Sequence, residues 1–194
     1  MSRCLGTAVL VSALAFFAPA AASAQVKAQA RVGATPRWTK GILPISAESY
    51  WHAVECGTLG GENPACVFWD TGLCKNEDFT LAMYTPYKSV AYEVWRVVRQ
   101  MQPAPTPSFQ EAQRTRVTVG VTGERGSKNP IASVAVRRGG KTLQPVTTTL
   151  EATGGRFTFD YAAFSATGSL TLDLVGKTKT ISCAIDQTTL AQFR

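Results

Sequence analysis

The sequence predicts an α+β protein in which a small disulfide-stapled segment with one main helix is followed by an antiparallel β-sandwich. Three observations carry this prediction. Apolar residues recur at helical spacing between Pro86 and Met101, whereas from Arg114 onward they alternate with polar ones between Gly-rich turns. Four cysteines remain once Cys4 is set aside with the N-terminal leader.

Residues 1–24 read as a signal peptide. Arg3 precedes an apolar run, Leu5 to Phe17, and Pro19 and small residues lead to Ala22-Ser23-Ala24. A basic start, an apolar middle and an A-x-A end are the three parts of a secretory signal. As a membrane anchor the run is barely long enough, and its last third is Ala, Ser and Pro. Cys4 precedes the apolar run, so it is not a lipid-attachment site, and cleavage after Ala24 removes it. The expected mature chain is exported to the periplasm or the exterior, with no later membrane span.

Residues 25–45 lack periodicity and are expected to form an extended arm. Residues 46–102 form a Cys- and aromatic-rich α/β segment. Ser46 to Glu55 is a short helix candidate with Ser46 as N-cap, and Gly57 and Gly60-Gly61 are expected beyond its end. Residues 56–76 are loop-rich around the apolar piece Val67-Phe68-Trp69. Phe79 to Tyr84 reads as a strand. Thr85-Pro86 then opens the best helix of the chain, with Thr85 as N-cap and Pro86 at its first position. Val90, Val94, Val97, Val98 and Met101 define its apolar face, and Arg96 and Arg99 suit its C-terminal dipole. Pro103, Pro105 and Pro107 stop that helix, so residues 103–112 are expected to be a linker.

Residues 113–194 form the expected sandwich. Val117, Val119 and Val121 alternate, then Val134 and Val136. Gly139-Gly140 signals a hairpin, and Lys141 to Leu150 is a Thr-rich strand interrupted by Pro145. Gly154-Gly155 leads into RFTFDY, Gly168 into SLTLDLV, and Gly176-Lys177 into TKTISCAID. About six short strands with Gly-rich turns are the pattern of an antiparallel sandwich. Thr188 to Phe193 is a short amphipathic tail over one open end. This strand count and alternation resemble immunoglobulin-like sandwiches, although the stretch holds only Cys183 and no Trp. Such sandwiches host many unrelated activities, so the resemblance implies a fold and no function.

Cys56, Cys66, Cys74 and Cys183 are an even set in an exported chain and are expected to form two disulfides. Every pairing joins Cys183 to one of the other three and ties the two halves together. Structural zinc is disfavoured: no C-x-x-C occurs and His52 is the one histidine. Removing Arg3 leaves nineteen basic residues against thirteen acidic ones, a net charge of +6. The surplus is scattered, with Arg114, Arg116, Arg137, Arg138 and Lys141 its densest groups. That favours solubility and mild attraction to anionic envelope surfaces over nucleic-acid binding.

No catalytic or cofactor motif is present. His52 and Glu55 share a helix face but are two ligands at most. There is no G-x-S-x-G, no H-E-x-x-H and no phosphate loop. Glu62, Asp70, Glu77 and Asp78 lie in the Cys-rich region, where a carboxylate pair could act on glycosides. Tyr50, Trp51, Phe68, Trp69, Phe79, Tyr84, Tyr87, Tyr92 and Trp95 crowd between residues 50 and 95. Large rigid rings with polar tips can build either a core or a recognition surface. Trp51, Trp69, Tyr84 and Tyr87 are the binding candidates. The reading is an exported, non-catalytic binding or structural module whose partner is a protein or polysaccharide of the envelope or exterior. The alternatives are an exported hydrolase using loop carboxylates and a secreted inhibitor or effector acting on another protein. No cofactor is called for.

Overall fold

The alternating stretches form two four-stranded antiparallel sheets in the computed structural model, which describes residues 42–68, 70, 72–165 and 168–193. The expected signal, most of the arm and Trp69 lie outside the described residues.

The helices come first. Helix α1 (Ala47–Thr58) opens where expected, because the Ser46 hydroxyl accepts from the Ser49 amide at 3.1 Å. It runs past Glu55, and Gly57 lies inside it rather than beyond its end. The reason is packing: a Cβ on Gly57 would stand 2.5 Å from the carbonyl oxygen of Ala91. Only glycine lets the two helix backbones approach so closely. Gly60 and Gly61, at φ +71° and +82°, then make the left-handed exit. A single turn, α2 (Ala65–Phe68), follows and buries Val67.

Strand β1 (Phe79–Tyr84) buries Phe79, Leu81 and Met83 on one face. Helix α3 (Pro86–Arg99) begins at Thr85, whose hydroxyl accepts from the Lys88 amide at 3.0 Å. Its buried face is Tyr87, Val90, Ala91, Val94 and Trp95. Met101, expected on that face, is 97 % exposed, because the helix has ended and Met101 sits at φ +58°. A further helix, α4 (Phe109–Arg114), occupies the end of the Pro-rich stretch and its junction with the next strand. The stretch is held down: the Tyr50 hydroxyl donates to the Pro107 carbonyl, and the Phe109 ring meets the Tyr50 ring at 5.3 Å. Ile45, Tyr50, Ala53, Val67, Tyr87 and Trp95 are among the buried members of this helical core.

The remaining strands are β2 (Val117–Gly123), β3 (Ile131–Arg138), β4 (Lys141–Leu143), β5 (Thr147–Glu151), β6 (Gly154–Phe159), β7 (Leu170–Gly176) and β8 (Thr180–Ile185). One sheet has the order β1-β2-β6-β5 and the other β4-β3-β7-β8. Thus β1, which precedes the helices α3 and α4, is the edge neighbour of β2, with Leu81 opposite Val121. Period-two side chains from both sheets meet in one core, including Val119, Val134, Phe157, Leu172, Leu174 and Ile185.

The single strand expected over Lys141 to Leu150 is two strands in different sheets. Pro145 supplies no amide to a ladder, and the chain crosses from one sheet to the other around it. Gly139 and Gly140, at φ +51° and +74°, make the two-residue turn between β3 and β4. Gly154, expected in a turn, is inside β6, where a Cβ would stand 2.1 Å from the Val121 carbonyl oxygen. Helix α5 (Gln187–Gln192) is capped by Asp186, and the tail drives Leu190 and Phe193 into the core.

The disulfides are Cys56–Cys66 within the helical part and Cys74–Cys183 between the loop before β1 and strand β8. Two such bonds suit an oxidising environment. No helix among the described residues is long and apolar enough to cross a membrane.

Candidate functional site

Side chains that point away from the core of the first sheet meet helix α3 across a groove. Parity dictates the first of them: with Phe79, Leu81 and Met83 facing inward, Tyr84 must face outward. Its ring lies over Gly120 of the neighbouring strand, where a Cβ would stand 3.2 Å from the ring edge. A glycine in mid-strand packs no side chain of its own, and here it leaves room for the tyrosine. Thr118, Thr158 and Thr149 continue the floor across β2, β6 and β5, and the first two hydroxyls are 3.0 Å apart. Ser89 and Tyr92 of α3 form the wall, and Arg156 closes one side. The cavity has a volume of about 470 Å³.

Tyr92 also lines a second concavity of about 600 Å³ along α3, with Phe68, Trp95, Arg96, Arg99 and Asn63. Ring centroids step from Tyr84 to Tyr92 at 6.1 Å, to Trp95 at 5.5 Å and to Phe68 at 5.1 Å. Trp95 is fixed by its indole N–H, which donates to the Gly61 carbonyl at 2.9 Å, and the Arg99 guanidinium lies 5.2 Å from its ring centre. Among the described residues, neither concavity is lined by an acidic or an aliphatic side chain. Arg156 pairs with Glu151 at 3.4 Å, both largely exposed. Burial, then Tyr92 and Asp70, push the Tyr84 phenol above its usual range, so it remains a hydrogen-bond donor.

Asp70 anchors the corner behind Tyr84. Its carboxylate accepts from the Met83 amide and pairs with the Lys88 ammonium, and both charges are buried. Lys88 lies 5.3 Å from the centre of the Tyr84 ring, and burial holds its amine below the usual lysine range. Loop, strand and helix are thus locked where the groove begins.

The candidates named from the sequence separate. Tyr84 is in the groove. Tyr87 is buried in the helical core, with its hydroxyl 2.7 Å from His52 Nδ1. Trp51 is 61 % exposed on α1, edge-on to Tyr50, and lines neither concavity. Trp69 lies outside the described residues. Of the loop carboxylates, Asp70 is paired with Lys88. Asp78 bonds to Ser127, Asn129 and Lys179. These bonds, Lys179 foremost, hold the Asp78 carboxyl below its usual range. Glu62 and Glu77 are exposed. Among the described residues, no three His, Cys, Asp or Glu side chains are grouped as metal ligands.

Sequence reasoning did not single out Tyr92, Arg156 or the threonines. Tyr92 had a legible signal, since it falls beside the apolar face of α3. The threonines carried none, because their convergence depends on which strands become neighbours. Comparison of the chain with family models, with curated proteins and with solved structures finds no match in any of the three.

Proposed function

We propose that the protein is an exported, non-catalytic binding module that uses the groove between α3 and the first sheet as its contact surface. The observation that carries this is the run of rings from Tyr84 through Tyr92 to Phe68, flanked by arginines and hydroxyls and placed on rigid elements. Export rests on the leader-like N-terminus and the two disulfides. The scaffold is an immunoglobulin-like sandwich in this reading. Lettering β1 to β8 in chain order as A, B, C, C′, D, E, F and G makes the sheets A-B-E-D and C′-C-F-G. Trp51 offers a second contact point outside the groove.

Two measurements test this. The mass of the exported protein, taken denatured and unreduced, should correspond to a chain starting at Gln25 with four hydrogens missing. Tyr84→Ala and Tyr92→Ala proteins, checked as folded by circular dichroism, should lose association with the envelope or extracellular fraction that the wild type retains. Folded variants that keep every association would remove the groove as the contact surface.

A further inference from the structure

Resting on that reading of the groove, we infer that its ligand is an acidic polysaccharide, a chain of pyranose rings carrying carboxylates. Four properties of the surface select it. The half-buried rings of Tyr84 and Tyr92 can take the apolar C–H faces of sugar rings, as aromatic side chains accept flat apolar surfaces while their hydroxyls stay wet. Thr118, Thr149, Thr158 and Ser89 present hydroxyls, which both donate and accept, to a ligand rich in the same group. Cations mark the length of the surface: Arg156 at the sheet end and Arg96 and Arg99 at the helix end. No carboxylate stands among the described lining residues. Arg156 carries an exposed pair with Glu151 at 3.4 Å, which a ligand carboxylate would displace, and guanidinium forks match carboxylates in two-point geometry.

The surface also argues against other chains. An amphipathic helix needs an apolar groove for its row of anchors, and among the described residues neither concavity has an aliphatic lining residue. Single-stranded nucleic acid wants a free ring face for each successive base. Here Trp95 is 4 % exposed, with Arg99 over its face. The two concavities share Tyr92, so a ligand following both passes that ring, and the site is built for a chain rather than for one sugar.

The test uses the full exported chain with its disulfides intact, titrated calorimetrically with oligogalacturonate. The comparison probes are its neutral methyl ester, poly-glutamate and oligo(dT), each at low and physiological salt. Oligogalacturonate should bind, more weakly in salt because the arginines at the surface are exposed. Tyr92→Ala and the exposed-site Arg156→Gln should each weaken it roughly tenfold, the loss of about 1.4 kcal/mol. Arg156→Gln leaves the core untouched, so its effect is not one of folding. Equal binding of the methyl ester overturns the anionic part of the inference. Stronger binding of poly-glutamate or oligo(dT), abolished by the same variants, overturns the polysaccharide but leaves the groove a binding surface. No binding of any probe, with envelope association still lost in Tyr92→Ala, also overturns the polysaccharide alone. Oligogalacturonate binding that neither variant changes overturns this inference and the groove together.

Discussion

Removing the two disulfides one at a time separates local from long-range stapling. Cys56–Cys66 closes a sequence separation of 10 residues and Cys74–Cys183 one of 109. The loops do not overlap, so each bond constrains a different part of the unfolded chain. In the chain-entropy relation the first contributes about 3 kcal/mol and the second about 5 kcal/mol at room temperature. All four cysteines are half-buried, so replacing each pair by alanines perturbs native packing to a similar degree. The difference between the double variants should therefore be about 2 kcal/mol, roughly a thirtyfold ratio in the unfolding constants. Guanidinium denaturation of Cys56→Ala/Cys66→Ala, Cys74→Ala/Cys183→Ala and the wild type, without reductant, measures it. Equal losses, or a larger loss for the short loop, would refute the entropic reasoning and shift the weight to native contacts around Cys56 and Cys66. The long bridge also joins the loop before β1 to the edge strand of the opposite sheet, so its removal should loosen amide protection in β8 before it affects α1.

Lys88→Met should destabilise the protein by about 3–5 kcal/mol, because it leaves the buried Asp70 carboxylate without its cation. Adding Asp70→Asn, whose amide oxygen can still accept from Met83, should recover part of the loss. A neutral Lys88→Met protein would mean that the pair is not desolvated. The acid limb of stability should follow Asp78 and Asp173, whose carboxyls are held below the ordinary 3.8 foremost by hydrogen bonds from Lys179 and Arg137. A carboxyl with a depressed native pKa contributes stability that is fully present above its unfolded value and is lost as pH falls through the native one. Melting temperatures should therefore fall below about pH 4, and Asp173→Asn should flatten that dependence. An unchanged slope in Asp173→Asn would show that its pairing with Arg137 does not favour the native state.

Much of the fold is local and could be read residue by residue. Ser46 and Thr85 begin helices because a side-chain oxygen three residues ahead of a free amide caps it in any context. Val117, Val119 and Val121, like Leu170, Leu172 and Leu174, face inward because a strand has period two. The evenness of the cysteine count, and a bridge from Cys183 back to the first half, also follow from sequence, since three of four cysteines lie together. Misreadings occurred where one residue type serves two conformations. Gly57 and Gly154 carry the signal of a turn, yet each lies within an element whose backbone another element approaches too closely for a Cβ. Met101 fits the apolar period of α3, but helix termination left it in solvent.

The candidate site divides in the same way. That Tyr84 faces outward was fixed by alternation along its own strand. That it meets Tyr92, Thr118, Thr158 and Arg156 required β1 to pair with β2 across an intervening pair of helices, and β6 to pair with β2. Sequence determines which way a side chain points because parity and helical period are properties of a single element. Tertiary structure decides which side chains share a surface, because strand neighbours and helix crossings are set by how the whole chain buries its apolar faces.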